Sequence, residues 1–350
     1  MKKSLIALAV AGAVAAPAAF AATSNVDIYG IFGASVDIID RDNASEDEFK
    51  VSSTASRIGF KGAEDLGGGL SAIWQAETGL EVESGGAFGS TGASGMRNTF
   101  VGLSSKSLGT VRLGRMDTAY KMSTGRLDVF ADTLADYNTI MGSVTAQNAG
   151  SFDVRETNSI SYESPEMSGL KLMGTYGQRN EAGAANDSDM WSLAGTYTNG
   201  PLFAALAYEV HNGVAANRDV DAIKLGVGYK FGNTTLGAAY EEIDDDLANS
   251  TFSRDAWYLS ARHDMGNIAL KGAYGNADDS DAAGSDGADF WALGVDYAMS
   301  KRTVVYALYT SLDNDSGADF TLGGNGTNGA QRSGAGTNPG GLSIGMKHSF

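Results

Sequence analysis

The sequence predicts an all-β fold, an antiparallel transmembrane β-barrel of 16 strands. Three observations support this prediction: hydrophobicity that alternates with period two, an even number of such segments, and connections that alternate between short and long. Segment 26–39 shows the alternation clearly, because Ile28 and Val36 fall on one face and Asp27 and Asp37 on the other. Such a segment is a strand with one apolar face and one polar face.

The same alternation identifies the other strands. In segment 70–82, Trp74 and Leu80 lie opposite Gln75 and Glu77, and carboxylates placed so regularly on one face must contact water. The predicted strands are 26–39, 53–64, 70–82, 97–104, 110–116, 157–163, 169–178, 189–199, 201–211, 219–231, 233–241, 255–263, 267–276, 288–298, 301–311 and 340–350. An even count lets a single bacterial chain close with both ends on the periplasmic side.

The connections differ in length at the two ends of the strands. Short turns are predicted at 65–69, 105–109, 164–168, 199–200, 232–233, 264–266 and 299–300. Longer polar loops are predicted at 40–52, 84–96, 117–156, 179–188, 212–218, 242–254, 277–287 and 312–339. Short periplasmic turns and long external loops are typical of outer-membrane barrels.

Aromatic residues near strand ends indicate a lipid boundary. Tyr208 and Phe231 end apolar faces in this way, although the core of a soluble β-sandwich is an alternative explanation. The last strand favours the barrel, because it alternates as far as the terminal Phe350, which resembles the signal by which outer-membrane barrels are recognised for insertion. On the same face, His348 is interpreted as an interfacial polar residue rather than a ligand.

The first 21 residues are predicted to be a secretory signal peptide, cleaved after Ala21. Lys2 and Lys3 precede an apolar run at 5–16 and a small-residue end. A membrane-anchoring helix is the alternative, but the apolar run is too short to span a bilayer. The expected exported protein is therefore 22–350.

Composition restricts the remaining possibilities. No other window supplies the roughly 18 uninterrupted apolar residues of a spanning helix, so membrane insertion would have to use strands. Removing the two N-terminal lysines changes the formal charge from −17 to −19, which argues against nucleic acid as a partner. Acidic runs at 241–246 and 278–281 are interpreted as solvated loop charge, with a specific ion site as the alternative. With no cysteine, disulfides and thiolate metal sites are excluded, and no cofactor or metal is predicted.

Several motifs carry a family resemblance. They are Val26-Asp27-Ile28-Tyr29-Gly30, the stretch from Ser56 to Gly67, Arg97-Asn98-Thr99-Phe100-Val101-Gly102-Leu103, Leu113-Gly114-Arg115, the stretch from Asn158 to Pro165, and the terminal Phe350. The sequence resembles the general porins of Gram-negative bacteria, nearest to the neisserial and other proteobacterial porins. The resemblance implies a homotrimer in the outer membrane, in contact with lipid and lipopolysaccharide, that passes ions and small hydrophilic solutes by passive diffusion.

The resemblance also implies a constriction, formed where the long loop 117–156 folds into the lumen. Basic wall residues face acidic loop residues there. The motifs place Arg57, Arg97 and Arg155 in the basic cluster, while strand alternation adds Lys61 and Arg112 on the same side. Ile31 occupies the first-strand position that carries lysine in enterobacterial relatives, and Arg115 has the opposite parity. Each arginine has an alternative role as an ordinary salt-bridge partner inside the lumen.

The predicted acidic side consists of Asp132 and Asp136, with Asp128 in reserve. Four residues separate Asp132 from Asp136, so one helical turn would point both carboxylates into the lumen together. Opposed charges at about 4 Å interact by about 4 kcal/mol at an effective dielectric of 20, which is enough to orient passing dipoles. Net charge does not settle ion preference, because most acidic residues lie in outer loops.

Other functions remain as alternatives. A substrate-selective channel for anions or sugars is the nearest one; a sugar channel would need a run of aromatics, and Tyr120, Phe130 and Tyr137 are few. An enzyme would need an activated nucleophile or paired carboxylates, and no such motif surrounds His211 or His263. An adhesin or structural surface protein would depend on the external loops rather than on the lumen.

Overall fold

A computed structural model describes residues 25–42, 47–85, 95–142, 152–179, 188–215, 218–245, 253–281, 284–323 and 334–350. The predicted signal peptide lies outside the described residues. The strands are β1 (Asn25–Asp40), β2 (Glu48–Ser53), β3 (Arg57–Gly67), β4 (Leu70–Gly79), β5 (Met96–Ser105), β6 (Gly109–Asp117), β7 (Arg155–Glu163), β8 (Leu170–Gln178), β9 (Asp189–Asn199), β10 (Leu202–Ala215), β11 (Arg218–Phe231), β12 (Thr234–Asp245), β13 (Arg254–Met265), β14 (Ile268–Ala277), β15 (Ala288–Ala298), β16 (Thr303–Asn314) and β17 (Gly340–Ser349).

These strand segments form a closed antiparallel barrel. Strand β1 pairs with β17 on one side and with both β2 and β3 on the other. Because β2 and β3 are two halves of one barrel strand, the 17 segments make a 16-stranded barrel, as the sequence predicts. Closure pairs Phe32 with His348 and continues to Asp40 opposite Gly340. Among the described strands, the barrel therefore leaves no open sheet edge.

The break between β2 and β3 is held by backbone and side-chain hydrogen bonds to β1. Ala55 has a positive φ of 50°, which interrupts the ladder. Thr54 donates its N–H to the Gly33 carbonyl at 3.0 Å. The Ser56 hydroxyl accepts from the Gly33 N–H at 2.9 Å and donates to the Gly33 carbonyl at 2.7 Å. These bonds satisfy polar groups that the broken ladder would leave unpaired.

Burial along the strands is the inverse of that in a soluble sandwich. Leu193 and Ile344 are 56% and 57% exposed, whereas the adjacent Ser192 and Ser343 are 0% exposed. A soluble β-sandwich buries its apolar face between two sheets. Here the apolar face points outward and the polar face inward, which is the pattern of a barrel surrounded by lipid. The sandwich alternative is therefore wrong.

Aromatic side chains pair on the outer face at both ends of the barrel. Ring centroids lie 5.3–5.5 Å apart in the pairs Trp191–Tyr208, Trp257–Tyr274 and Trp291–Tyr309, near the long loops. At the short-turn end, Phe32 stacks on Phe350 at 5.9 Å and Tyr229 lies 6.0 Å from Phe231. Two such girdles mark the interfaces of a membrane barrel.

Strands run further toward the long loops than the sequence predicts. Strand β2 begins at Glu48, inside the predicted loop 40–52, and β10 and β12 end at Ala215 and Asp245. Past the membrane both faces are polar, so the hydropathy pattern ends although the hydrogen-bonded ladder continues. The interpretation of the whole run 241–246 as loop charge is accordingly wrong for Glu241, which is buried on the inner face of β12.

No helix in the described part of the chain is long and apolar enough to cross a membrane.

Candidate functional site

The connection between β6 and β7 is called here the β6–β7 loop (residues 118–154), and its described residues, 118–142 and 152–154, pack on the inner face of the barrel wall. It begins with helix α1 (Ala119–Thr124), which is capped by the Thr118 hydroxyl. Ala119 donates its N–H to Thr175 Oγ1 at 3.2 Å, and Tyr120 donates its N–H to Ser192 Oγ at 2.8 Å. Because Thr175 and Ser192 are buried on the polar faces of β8 and β9, the wall itself fixes the start of the loop.

A buried lysine holds the middle of the loop. Lys224 Nζ on β11 lies 2.7 Å from Asp153 Oδ1 and 3.0 Å from Glu241 Oε2. Tyr120 donates its hydroxyl to Glu241 Oε2 at 2.7 Å, and Tyr137 donates its hydroxyl to Asp153 Oδ2 at 2.9 Å. One cation therefore neutralises a loop carboxylate and a wall carboxylate, and two loop tyrosines complete their hydrogen bonding.

Asp128 and Asp136, two of the predicted acidic residues, stabilise the shape of the loop through hydrogen bonds. Asp128 Oδ1 accepts from the Phe130 N–H at 2.8 Å and the Tyr258 hydroxyl at 3.1 Å. Asp136 Oδ1 accepts from the Asn138 N–H at 3.0 Å and caps a short 3-10 helix, Tyr137–Thr139. Both carboxyl groups are buried.

Burial changes the protonation of these two carboxyls. It raises the pKa of Asp128 from its ordinary value of 3.8 to about 6. Burial, together with the charge of Asp128, raises the pKa of Asp136 well above its ordinary value. Both shifts favour the neutral form, because a charge in a low-dielectric site loses its hydration. Near neutral pH a carboxyl with a pKa of about 6 is still largely ionised, so the loss of negative charge concerns Asp136 more than Asp128.

The helical turn predicted over Asp132 and Asp136 is wrong. Asp132 has a positive φ of 58°, and its N–H donates to Asp136 Oδ2 at 3.0 Å, so the stretch is a compact turn. The two carboxylates therefore do not point into the lumen together. Asp132 alone faces the wall, where its Oδ2 lies 3.3 Å from Arg57 Nη1.

Arg57 is the predicted wall residue that contacts the loop directly. Its guanidinium also donates to the Ala55 carbonyl at 2.9 Å, at the break between β2 and β3. The Arg57 and Asp132 side chains are 20% and 31% exposed. Both groups thus remain accessible to water while opposing each other across the gap between wall and loop. This is the charge arrangement expected for a constriction.

Arg97 and Arg155 lie on the same stretch of wall, but each pairs with a wall carboxylate. Arg97 Nε lies 2.7 Å from Glu77 Oε1, and the Tyr29 hydroxyl donates to Glu77 Oε2 at 2.9 Å. Arg155, the first residue of β7 rather than the last residue before it, lies 3.2 Å from Asp117 Oδ1. Acidic and basic side chains therefore alternate along this wall.

Lys61 and Arg112 are separate from that group. Lys61 is four residues from Arg57 along β3, about 13 Å away at the rise of a strand, and its ammonium lies 5.1 Å from the centre of the Tyr29 ring. Arg112 forms an ion pair with Glu163, which also pairs with Lys171, in a cluster toward the short turns. The contacts of Arg112 therefore fit the alternative role of an ordinary salt-bridge partner better than a role in the constriction.

Three lysines on the inner face of the barrel were not predicted as site residues from the sequence. They are Lys224, Lys271 and Lys347. Their strand parity is the signal that would have found them, because each alternates with outward apolar residues such as Leu225, Leu270 and Met346. Lys347 Nζ donates to the Ala131 carbonyl at 2.7 Å, which brings a second wall cation to the Asp132 turn.

The aromatic residues weighed for a sugar path do not form one. Tyr120, Phe130 and Tyr137 are buried inside the packing of the β6–β7 loop. His211, predicted to border a loop, lies within β10, where Phe152 stacks on its ring at 4.4 Å and Glu209 Oε1 lies 2.7 Å from its Nε2. These residues anchor the loop and offer no exposed surface to a solute.

A closed 16-stranded barrel with an apolar exterior and a charged interior defines the class of transmembrane β-barrel channels. A family model for the Gram-negative porins matches residues 7–317. The outer membrane porin protein 32 of Delftia acidovorans is 32% identical over 256 residues, which cover 69% of this chain and 70% of the relative. The major outer membrane protein P.IB of Neisseria meningitidis serogroup B is 31% identical over 268 residues, covering 73% and 75%.

Solved structures agree with these relatives. The anion-selective porin from Comamonas acidovorans matches with a TM-score of 0.81 and 27% identity, covering 93% of this chain and 100% of that chain. A trimer form of OmpT from Vibrio cholerae has a TM-score of 0.70 at 16% identity, covering 93% and 99%. The chain belongs to the Gram-negative porin family. It is an outer-membrane porin, a water-filled channel for the passive diffusion of ions and small hydrophilic solutes.

Proposed function

We propose that the β6–β7 loop narrows this channel and that the channel is a general diffusion pore with a preference for anions. The observation that carries the proposal is the ion pair of Arg57 with Asp132, which sets a wall cation against the one predicted loop carboxylate that is not buried. A 16-stranded barrel leaves an aqueous lumen that side chains alone do not fill, so an inserted loop is needed to narrow it.

The proposed preference for anions follows from the hydrogen bonding of the loop carboxylates. Asp128 and Asp136 are buried and bound by backbone N–H groups, while Asp132 remains to oppose Arg57 and Lys347. Cations therefore outnumber accessible carboxylates at this turn. The matching solved porin from Comamonas acidovorans, at 27% identity, is described as anion-selective. Conduction also requires weak contacts at several sites, because tight binding would prevent exit.

Reversal potential in a KCl gradient across a planar bilayer tests the proposal. The wild-type channel is expected to favour chloride, and the double variant Arg57→Ala, Arg97→Ala should shift the potential toward that of a cation-preferring channel. Lys230→Ala, at the short-turn end of β11, removes a lysine distant from the Asp132 turn and serves as the control. An unchanged potential in the double variant would remove these arginines from the selectivity site.

A substrate-selective channel for one anion is the second candidate function. It is favoured by Lys347, whose ammonium donates to the Ala131 carbonyl beside the Asp132 turn, rather than by any aromatic path. Currents that stay ohmic with rising solute concentration support the general pore, whereas saturation by a single solute supports selectivity. No catalytic role is part of the proposal.

The assembly and export expected from the sequence belong to the same proposal. We infer a homotrimer in contact with outer-membrane lipid and lipopolysaccharide, and a signal peptide cleaved after Ala21. The family resemblance supports both inferences, and the matched porins include one in a trimer form. Mass measurement of the detergent-solubilised protein and N-terminal sequencing of the mature chain test them.

A further inference from the structure

A cavity of about 290 Å³ lies inside the barrel on the short-turn side of the Asp132 turn. The loop residues Asp128 and Ala131 form one side of it, and the inner faces of β14 to β17 form the other. Four cationic side chains line it: Lys271, Lys301, Arg302 and Lys347. Water occupies about 30 Å³ per molecule in the liquid, so the space is well above that of a single water.

The two carboxylates in this lining, Asp128 and Asp296, already have partners. Asp296 Oδ1 lies 2.7 Å from Lys271 Nζ, and its Oδ2 lies 3.1 Å from Arg262 Nη1. The Asp128 carboxylate accepts the N–H groups of Phe130 and Tyr137 and the hydroxyl of Tyr258. Neither carboxylate is therefore available to neutralise the remaining cations.

Three cations in the lining, Lys301, Arg302 and Lys347, form no direct ion pair with a carboxylate in the described part of the chain, and Asp132 acts on Lys347 only from a longer distance. Lys347 Nζ donates to the Ala131 carbonyl and lies 5.9 Å from the centre of the Tyr306 ring. Lys301 and Arg302 are exposed in the turn between β15 and β16, and neither side chain forms an ion pair with a described residue. Several N–H donors thus converge on one cavity with an excess of positive charge.

We propose that this cavity is a binding site for small oxyanions carrying phosphate or carboxylate groups, with Lys347 and Arg302 as its main ligands. Both present charged N–H donors, and Arg302 can bind two oxygens of one anion through its planar guanidinium. The inference rests on the proposed function, because a solute reaches the cavity through the lumen. The site would hold anions transiently after they pass the Asp132 turn.

The position of the cavity selects a dissolved anion over a lipid headgroup. Its strand residues Tyr306 and Lys347 belong to the inward-facing sets of β16 and β17, whereas the neighbouring Ile344 and Met346 face lipid. A lipid phosphate at the short-turn end of the barrel would have to leave its leaflet and enter the inside of the barrel to reach it. Free inorganic phosphate is therefore the appropriate probe.

The test uses the purified full-length protein in planar bilayers, with the chloride current measured as inorganic phosphate is added at constant ionic strength. The wild-type current should fall and saturate as the site fills. In the double variant Arg302→Gln, Lys347→Gln the half-saturating phosphate concentration should rise by roughly tenfold or more, the loss expected for charge-assisted hydrogen bonds. Lys230→Gln removes the same charge from another wall at the same end and should behave as wild type.

Three further results decide the proposal. Retained phosphate saturation in Lys347→Arg, which keeps the charge, would support it and would separate lost binding from misfolding. A wild-type current that shows no saturable response to phosphate would overturn it, as would equal half-saturation in the double variant and the wild type. The KCl reversal potential of the same channels reports separately on the Asp132 turn, so the pore proposal and the binding site can fail independently.

Discussion

Lys224 Nζ lies 2.7 Å from Asp153 Oδ1, and this contact ties strand β11 to the β6–β7 loop inside the barrel. Both side chains are fully buried. A buried ion pair adds little net stability compared with an apolar pair, but removing one partner leaves an uncompensated charge. The packing of the loop against the inner face of β11 should therefore depend strongly on this single lysine.

Replacing the buried lysine should release the loop. In Lys224→Met, Asp153 and Glu241 lose their shared cation, and the expected cost is about 3–5 kcal/mol. Single-channel recordings should show larger and noisier conductance, because the loop would leave its place on the wall. Lys230→Met, at the exposed end of the same strand, is the control and should conduct as wild type. Identical recordings from both variants would mean that Lys224 does not hold the loop.

The loop carboxylate and the wall arginine should shift selectivity in opposite directions. Asp132→Asn removes the accessible negative charge 3.3 Å from Arg57 and should increase preference for chloride. Arg57→Ala should decrease it, because Asp132 then keeps its negative charge without the cation nearest to it. The measurement is the reversal potential in a KCl gradient at two ionic strengths, since charges exposed to water are screened by salt. Shifts of the same sign in both variants would contradict the proposed arrangement.

The stability of the loop should depend on pH through Asp128. Burial raises the pKa of this carboxyl from 3.8 to about 6, so the closed loop binds the proton more tightly than an opened, solvated loop does. The stabilisation is therefore complete below the ordinary value of 3.8 and is lost as pH rises through about 6. Its upper limit is about 3 kcal/mol, from 1.36 kcal/mol per pKa unit.

Hydrogen exchange of the loop amides measures this dependence. Protection of the Phe130 and Tyr137 amides, which donate to Asp128, should fall between pH 5 and pH 7 after correction for intrinsic exchange. Asp128→Asn should flatten that slope. The comparison that isolates the effect of Asp128 is the slope of the wild type against the slope of the variant. Equal slopes would show that Asp128 does not titrate in this range.

A side chain added at Gly226 should displace the loop sterically. A Cβ built at this position would lie 2.8 Å from Thr124 Cγ2 and 2.9 Å from Leu127 Cδ1. Gly226→Val should therefore push the start of the loop off β11 and enlarge the conductance without changing any charge. Gly195→Val is the matched control, because a Cβ there meets only Leu172 Cδ2, at 3.4 Å. Unchanged conductance in Gly226→Val would show that the loop adapts to the larger residue.

The terminal aromatic should matter for closing the barrel. Phe350 donates its N–H to the Gly30 carbonyl at 3.1 Å and stacks on Phe32 at 5.9 Å. Phe350→Ala should lower the fraction of protein that folds into detergent-resistant barrels, measured by the electrophoretic shift between unheated and heated samples. Phe231→Ala removes an exposed aromatic from the same end and should have a smaller effect. An equal loss in the two variants would assign no special role to the terminus.

The barrel could be predicted because its signal is local and repeated. Each strand needs only its own alternation to be recognised, and Ile28, Leu193 and Ile344 all point outward as the pattern requires. The strand ends toward the long loops could not be predicted. There the outward face turns from lipid to water, so the sequence of β12 changes character at Glu242 while its hydrogen bonds to β11 continue.

The loop conformation depends on partners far away in sequence, so little of it could be predicted. Asp128 was predicted as a third candidate for the acidic side of the constriction. Its hydrogen bond from the Tyr258 hydroxyl joins residues 130 positions apart, which no local pattern indicates. Asp136 has the spacing of a helical turn but serves as a 3-10 cap. Arg57 lies opposite Asp132 because the strand ladder fixes its position on the wall, and its role in selectivity stays a prediction. A register shift between Gly114 and Met116 falls at Arg115, which explains why parity alone did not locate that side chain.

The pairing of Phe32 with His348 makes the first and last described strands neighbours in the finished cylinder. In the described sheet, β1 also pairs with β2 and β3, the two halves of one barrel strand, and the remaining pairings join segments that follow one another along the polypeptide. Neighbouring hairpins can thus form one after another during assembly, but the barrel cannot close until β17 pairs with β1. Until that moment two unpaired edges stay open to wrong partners. Newly exported chains must accordingly be kept apart, and truncation of either extremity should trap an unsealed, aggregation-prone sheet.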